Sequence, residues 1–122
     1  MNLLENLDIK VECRSAQKTI VSLKVSDAIK QPYGFVHGGI NTVLAETAAS
    51  IAANCAASDD QIAIGISVNT NHLAPVSNGI LNAVAKPIRI GRSLQVWHVD
   101  TIQYPNRILS STSIVTTKFH TT

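Results

Sequence analysis

One carboxylate, Glu46, stands inside "NTVLAETAASIAANCAA", a run otherwise made of small and apolar residues, nine positions after His37-Gly38-Gly39. Burying a lone carboxylate costs on the order of several kcal/mol or favours its protonated form. Its neighbours Val43, Leu44, Ala45, Ala48 and Ala49 offer no compensating charge. On a helix, Thr42 and Ser50 supply the hydroxyls on roughly the same face. A carboxylate set in an apolar wall is a stronger base than one in water, so Glu46 is a candidate general base or nucleophile. The other reading is a glutamate on a narrow solvated stripe with Thr42, Ser50 and Asn54. The residues alone leave both open.

His37-Gly38-Gly39 falls where the helical pattern begins. Two glycines let a ligand approach the backbone closely. The unpaired N–H groups of a first helical turn can hold a carbonyl or a developing oxyanion. A glycine-rich helix start with no ligand would have the same sequence. Spacing adds a constraint: nine residues at about 1.5 Å each separate His37 from Glu46 by roughly 13 Å along a helix. They cannot grip one small group from within a single chain. If both act, each meets its counterpart from another copy, which predicts a dimer with facing helices.

The elements that must position these groups follow from periodicity. "MNLLENL" suits one or two helical turns. "DIKVEC" and "KTIVSLKV" alternate as strands joined through "RSAQ". "SDAIKQPYGFV" is a loop punctuated by Pro32 and Gly34. From Gly39 to about Ala57 the chain favours a helix: "NTVLAETAASIAANCAA" lacks Gly and Pro, is rich in alanine and is apolar on most sides, which predicts a helix buried all round. "IAIGISVNTNHL" reads as a strand with Ile64, Ile66, Val68, Thr70 and His72 on the face toward the helix, and Gly65, Ser67, Asn69 and Asn71 on the other. "GILNAVAKPIRI", "SLQVWHVDTIQ" and "ILSSTSIVTTKF" follow as strands with short connections. Two strands, one long helix and four strands predict an α+β fold, a mostly antiparallel sheet wrapped around one helix, with residues 1–122 as a single domain.

Composition narrows the function. A chain of 122 residues, 45% of them hydrophobic, should fold around one modest core. Aromatics make up only 4%, so large side chains are scarce and subunits are expected to share apolar surface. The net charge of +2 comes without any Lys/Arg run, which argues against a nucleic-acid partner. The two cysteines, Cys13 and Cys55, lack metal-ligand spacing and read as small buried hydrophobes. Acidic residues break the N-terminal apolar run, so no signal peptide is expected; with no membrane-spanning stretch, a cytoplasmic location is the default.

The stretch "QPYGFVHGGINTVLAETAAS", followed by "VNTNHLAPV" and "GRS", resembles the hotdog-fold acyl-CoA thioesterases, and most closely the PaaI-type hydroxybenzoyl-CoA thioesterase family. The resemblance spans nearly the whole chain. It implies a sheet curled around one central helix, two subunits sharing a continuous sheet, and often a second pairing into a tetramer. It implies Glu46 as nucleophile or general base and Gly38 N–H as the donor that polarises the thioester carbonyl. Gln31 and His37 would help hold the carbonyl or the thiol leaving group, and Ser50 would orient the carboxylate or its water. His72 would line the acyl pocket. Gly39, Arg92 and Ser93 are further substrate contacts, the last two toward the CoA phosphates. The resemblance also implies an aromatic or bicyclic acyl group (hydroxybenzoyl, phenylacetyl or dihydroxynaphthoyl), carried on CoA or on a carrier protein. No metal or other cofactor is expected.

Two rivals remain at this point: a hotdog dehydratase or hydratase, and a non-catalytic acyl-CoA-binding protein. Among the other polar residues, His98 beside Trp97 reads as the outer half of an alternating strand. His120 falls in a tail expected to fray. Lys86, Arg89 and Arg107 read as surface charges.

Overall fold

The computed structural model describes residues 1–122. In chain order it has α1 (Leu3–Asn6), β1 (Lys10–Cys13), β2 (Thr19–Lys24), a 3₁₀ turn (Asp27–Ile29), α2 (Gly38–Ala56), β3 (Gln61–His72), β4 (Ile80–Ile90), β5 (Leu94–Tyr104) and β6 (Ile108–Thr121). The strands form one six-stranded sheet in the order β1-β2-β4-β5-β6-β3, with every neighbour antiparallel. The sheet wraps around α2 as an α+β hotdog fold. No helix is long and apolar enough to cross a membrane.

Alternation explains the sheet. In β5, Gln95, Trp97, Val99, Thr101 and Gln103 are buried toward the helix, while Leu94 and His98, at the alternate positions, are exposed. Trp97 is fully enclosed and its indole N–H donates to Thr117 Oγ1 at 2.9 Å. Thr117 in turn donates to Gln95 Oε1 at 2.9 Å, so the polar atoms beside the indole are matched. His98 lies outside, against Asp100 and Thr112, as the alternation predicts.

The helix starts one residue earlier than expected and is not buried all round. Leu44, Ala45, Ala48, Ala49, Ala52 and Ala53 are buried against the sheet together with Asn41. A second stripe, through Val43, Glu46, Thr47, Ser50 and Asn54, is half-buried or exposed. Alanine and small hydroxyl side chains cover both faces, so hydropathy barely separates them.

The face assignment of β3 also needs correction. Ile66 is an extra residue: Gly65 pairs with Thr117 and Ser67 with Thr116, leaving Ile66 in a bulge. A bulge reverses which residues point inward. Before it, Ala63 and Gly65 face the helix and Ile64 points away, 44% exposed. Ile66, at 53%, is likewise outside. After the bulge the expected pattern returns, with Val68, Thr70 and His72 turned toward α2.

Two smaller expectations also change. Cys55 is exposed and Cys13 only half-buried, so neither is a core residue. His120 lies within β6, opposite Ile62, rather than in a frayed tail.

Candidate active site

The start of α2 is held from several directions. Val36 N–H donates to Val76 O at 2.7 Å and His37 N–H to Ile29 O at 2.9 Å, tying the incoming loop to its surroundings. Gln31 braces the Pro32–Gly34 turn: its Oε1 accepts from Tyr33 N–H and its backbone N–H donates to Phe35 O at 2.8 Å. Gly34 supplies the turn's φ of +89°. With Oε1 used in this way, the Gln31 amide hydrogens are the part left for other partners.

His37 is the N-cap of α2. Its Nδ1 accepts from Gly39 N–H at 3.0 Å. A backbone amide can only donate, so Nδ1 carries no proton and the neutral ring is an Nε2–H donor. Gly38 follows as the first helical residue, and its N–H has no partner within the chain. A Cβ on Gly38 would lie 3.1 Å from His72 Cε1 and Nε2, so glycine is what lets the imidazole rest against the helix start. Gln31, Gly38, Asn41 and His72 line one cleft of about 330 Å³.

Glu46 lies elsewhere. It is exposed and makes no hydrogen bond or ion pair. With Ser50, Thr47 and the α1 residues Leu3 and Leu4 it lines a second cleft of about 490 Å³, floored by Ala63 and Gly65 of β3. A Cβ on Gly65 would come within 2.7 Å of Glu46 Oε2, so the carboxylate lies directly over that glycine. Ser50 shares the cleft but does not hydrogen-bond to Glu46.

The structure therefore sorts the candidate residues into two groups with no member in common: Gln31, Gly38 and His72 at the helix start, Glu46 and Ser50 midway along it. Gly39 is occupied in the capping bond to His37. Arg92 and Ser93 occupy the turn between β4 and β5 and line neither cleft; Ser93 O accepts from Phe119 N–H at 3.0 Å. Sequence reasoning missed Asn41, whose Nδ2 lies 3.2 Å from His72 Nδ1. It also missed Gly65, although a glycine inside a strand pattern is itself a signal of a bulge or a close approach.

Residues 33–109 match the model of the Thioesterase superfamily. The chain belongs to that family. This thioesterase is 38% identical over 109 residues to a 1,4-dihydroxy-2-naphthoyl-CoA hydrolase of Listeria monocytogenes, covering 89% of each chain. It is 30% identical over 115 residues to the Escherichia coli enzyme of the same name, covering 94% of this chain and 85% of that one. Among solved structures, a thioesterase from Haemophilus influenzae superposes with a TM-score of 0.91 at 30% identity, over 97% of this chain and 82% of the other. This thioesterase is accordingly a hydrolase acting on acyl-CoA thioesters.

Proposed function

We propose that the chain hydrolyses an aromatic or bicyclic acyl-CoA at a site shared between two copies, using Glu46 of one and the His37-Gly38 end of α2 of the other. The observation that carries this reading is the separation of two incomplete half-sites. One holds an unpartnered backbone donor, Gly38 N–H, and the other an unpartnered carboxylate, Glu46.

The sheet supports the pairing. β3 is 12 residues long and forms an edge of the sheet, so one side of its backbone lacks a neighbour. Ile62, Ile64 and Ile66 along it are 44–53% exposed. A long, apolar, uncharged edge favours association with another strand. Antiparallel pairing of two β3 strands would join two sheets under a two-fold axis and set the two open helix stripes near each other.

The chemistry follows from the groups. Glu46 attacks the thioester carbonyl carbon or takes a proton from the water that does. As the C=O electron pair moves to oxygen, Gly38 N–H stabilises the charge. The neutral His37 offers Nε2–H as a second donor, and the Gln31 amide a third. Collapse of the tetrahedral species breaks the C–S bond and releases CoA thiolate, which takes up a proton. Where water attacked, the free acid leaves directly; where Glu46 attacked, a mixed anhydride is left that water then hydrolyses to the free acid and the regenerated carboxylate. The bicyclic preference is supported by the two naphthoyl-CoA hydrolases among the relatives.

Thiol release from a panel of aryl and alkyl acyl-CoAs tests the substrate class; faster turnover of the alkyl members would overturn it. Subunit exchange tests the shared site. Glu46→Ala and His37→Ala, provided that each is inactive as a homodimer, should together recover roughly a quarter of wild-type activity, because half the dimers are mixed and half their sites intact. No recovery despite demonstrated exchange would rule out the shared site.

A further inference from the structure

Asn41 lies one turn into α2 on the face that meets the sheet, and is only 5% exposed. One end of its amide is used: Nδ2 lies 3.2 Å from His72 Nδ1. The other end, Oδ1, is buried without a partner. Leaving half an amide unsatisfied in the interior is unfavourable, and an apolar side chain of the same size would avoid the cost. What the amide does provide is direction. With Nδ2 donating, His72 Nδ1 is the acceptor and the ring proton resides on Nε2. Reversing the amide would leave an NH₂ group orphaned instead, and buried orphan donors are rarer than under-satisfied carbonyl oxygens.

The Nε2 edge of the ring is the one that rests on Gly38, 3.1 Å from where a Cβ would be. Gly38, Asn41 and His72 line the same cleft. The backbone donor and an imidazole donor are thus set side by side.

We infer that Asn41 is a positioning residue that fixes His72 as an Nε2–H donor facing the cleft at the start of α2. Its use rests on the thioesterase reading above: the donor meets an acceptor oxygen on the acyl portion of the substrate. Asn41 itself need touch nothing that reacts.

Histidine ¹⁵N NMR of the full chain tests this, with His72 assigned by its loss in His72→Gln. At a pH where the ring is neutral, wild type should show the Nε2–H form. Asn41→Asp, whose carboxylate only accepts, should draw the proton to Nδ1 and give the Nδ1–H or imidazolium signature. Asn41→Leu keeps the volume without the donor, and both variants should lower kcat/KM for the best aryl-CoA about tenfold, the scale of one hydrogen bond lost in a desolvated site. A wild-type Nδ1–H tautomer, persistence of the neutral Nε2–H tautomer with Nδ1 unprotonated in Asn41→Asp, or unchanged kcat/KM in both variants would overturn the inference. Should Asn41→Asp not fold, the wild-type tautomer and Asn41→Leu decide. If no acyl-CoA is turned over at all, the proposed reaction fails, while the tautomers still decide whether Asn41 controls His72.

Discussion

The start of α2 and its middle present opposite kinds of site. At the start, Gln31, His37 and Asn41 each spend a polar atom on holding the structure in place, and the surrounding loop is bonded on both sides. Nine residues later, Glu46 is held by nothing but its own backbone and the absence of a side chain at Gly65. The first region is preorganised, as a stabiliser of transient charge must be, since its dipoles cannot reorganise during the reaction. The second is, on the proposed reading, the reactive group, with its surroundings still incomplete in one chain.

The sharpest way to break this contrast is to neutralise Glu46. Glu46→Gln keeps the side-chain volume and leaves folding unchanged. It should reduce kcat by about a hundredfold or more, as expected on losing an acid/base group. A loss under about tenfold would remove Glu46 from the chemistry.

Gly65→Ala probes the same group from below. The atoms nearest the new methyl all belong to the flexible Glu46 side chain, so urea denaturation should change by no more than about 0.5 kcal/mol. The displaced carboxylate should nonetheless lower kcat about tenfold or more, because a shift near 1 Å is costly in a reacting pair. Unchanged turnover would mean that Glu46 acts from another position.

At the helix start, His72→Ala should change the ranking among aryl and alkyl acyl-CoAs by about tenfold rather than depress all of them equally, the weight of one hydrogen bond in a desolvated site. A uniform loss measured across the panel would instead give His72 a part in bond breaking. The smallest effect concerns His37 as a cap. His37→Ala should cost about 1 kcal/mol in equilibrium denaturation, and His37→Asn, which also caps, should regain most of it. Equal stability of all three would show that the bond to Gly39 contributes nothing measurable.

The same contrast separates what could be read from the sequence and what could not. All six strands and the long helix are legible because each is a run of strand or helix formers bounded by turn residues, and the family resemblance rests on "HGG" and "LAET" at a fixed spacing. The bulge at Ile66 is invisible to a count that assumes strict alternation, and it moved Ile64 and Gly65 to the wrong faces. The open stripe of α2 was one of two readings the sequence left undecided for Glu46, because threonine, serine and alanine differ too little in hydropathy to mark an edge. His37 was read for its ring chemistry and not as a cap, since serine, threonine, asparagine and aspartate are the residues usual there. Asn41 and His72 lie 31 positions apart, and only the fold brings them together.

The alanine face of α2 bears on how such a protein can change over generations. Ala45, Ala48, Ala49, Ala52 and Ala53 are all completely enclosed. Nothing there can shrink usefully, and enlargement meets strands already in contact, so this side of the helix is closed to drift in size. The opposite side carries Val43, Thr47 and Ser50 around the carboxylate, where exchanges leave the interior untouched. One helix thus divides its inheritance: a face where enlargement fails in folding, and a face which, if the proposed site is right, can take up changes in substrate without unfolding the protein.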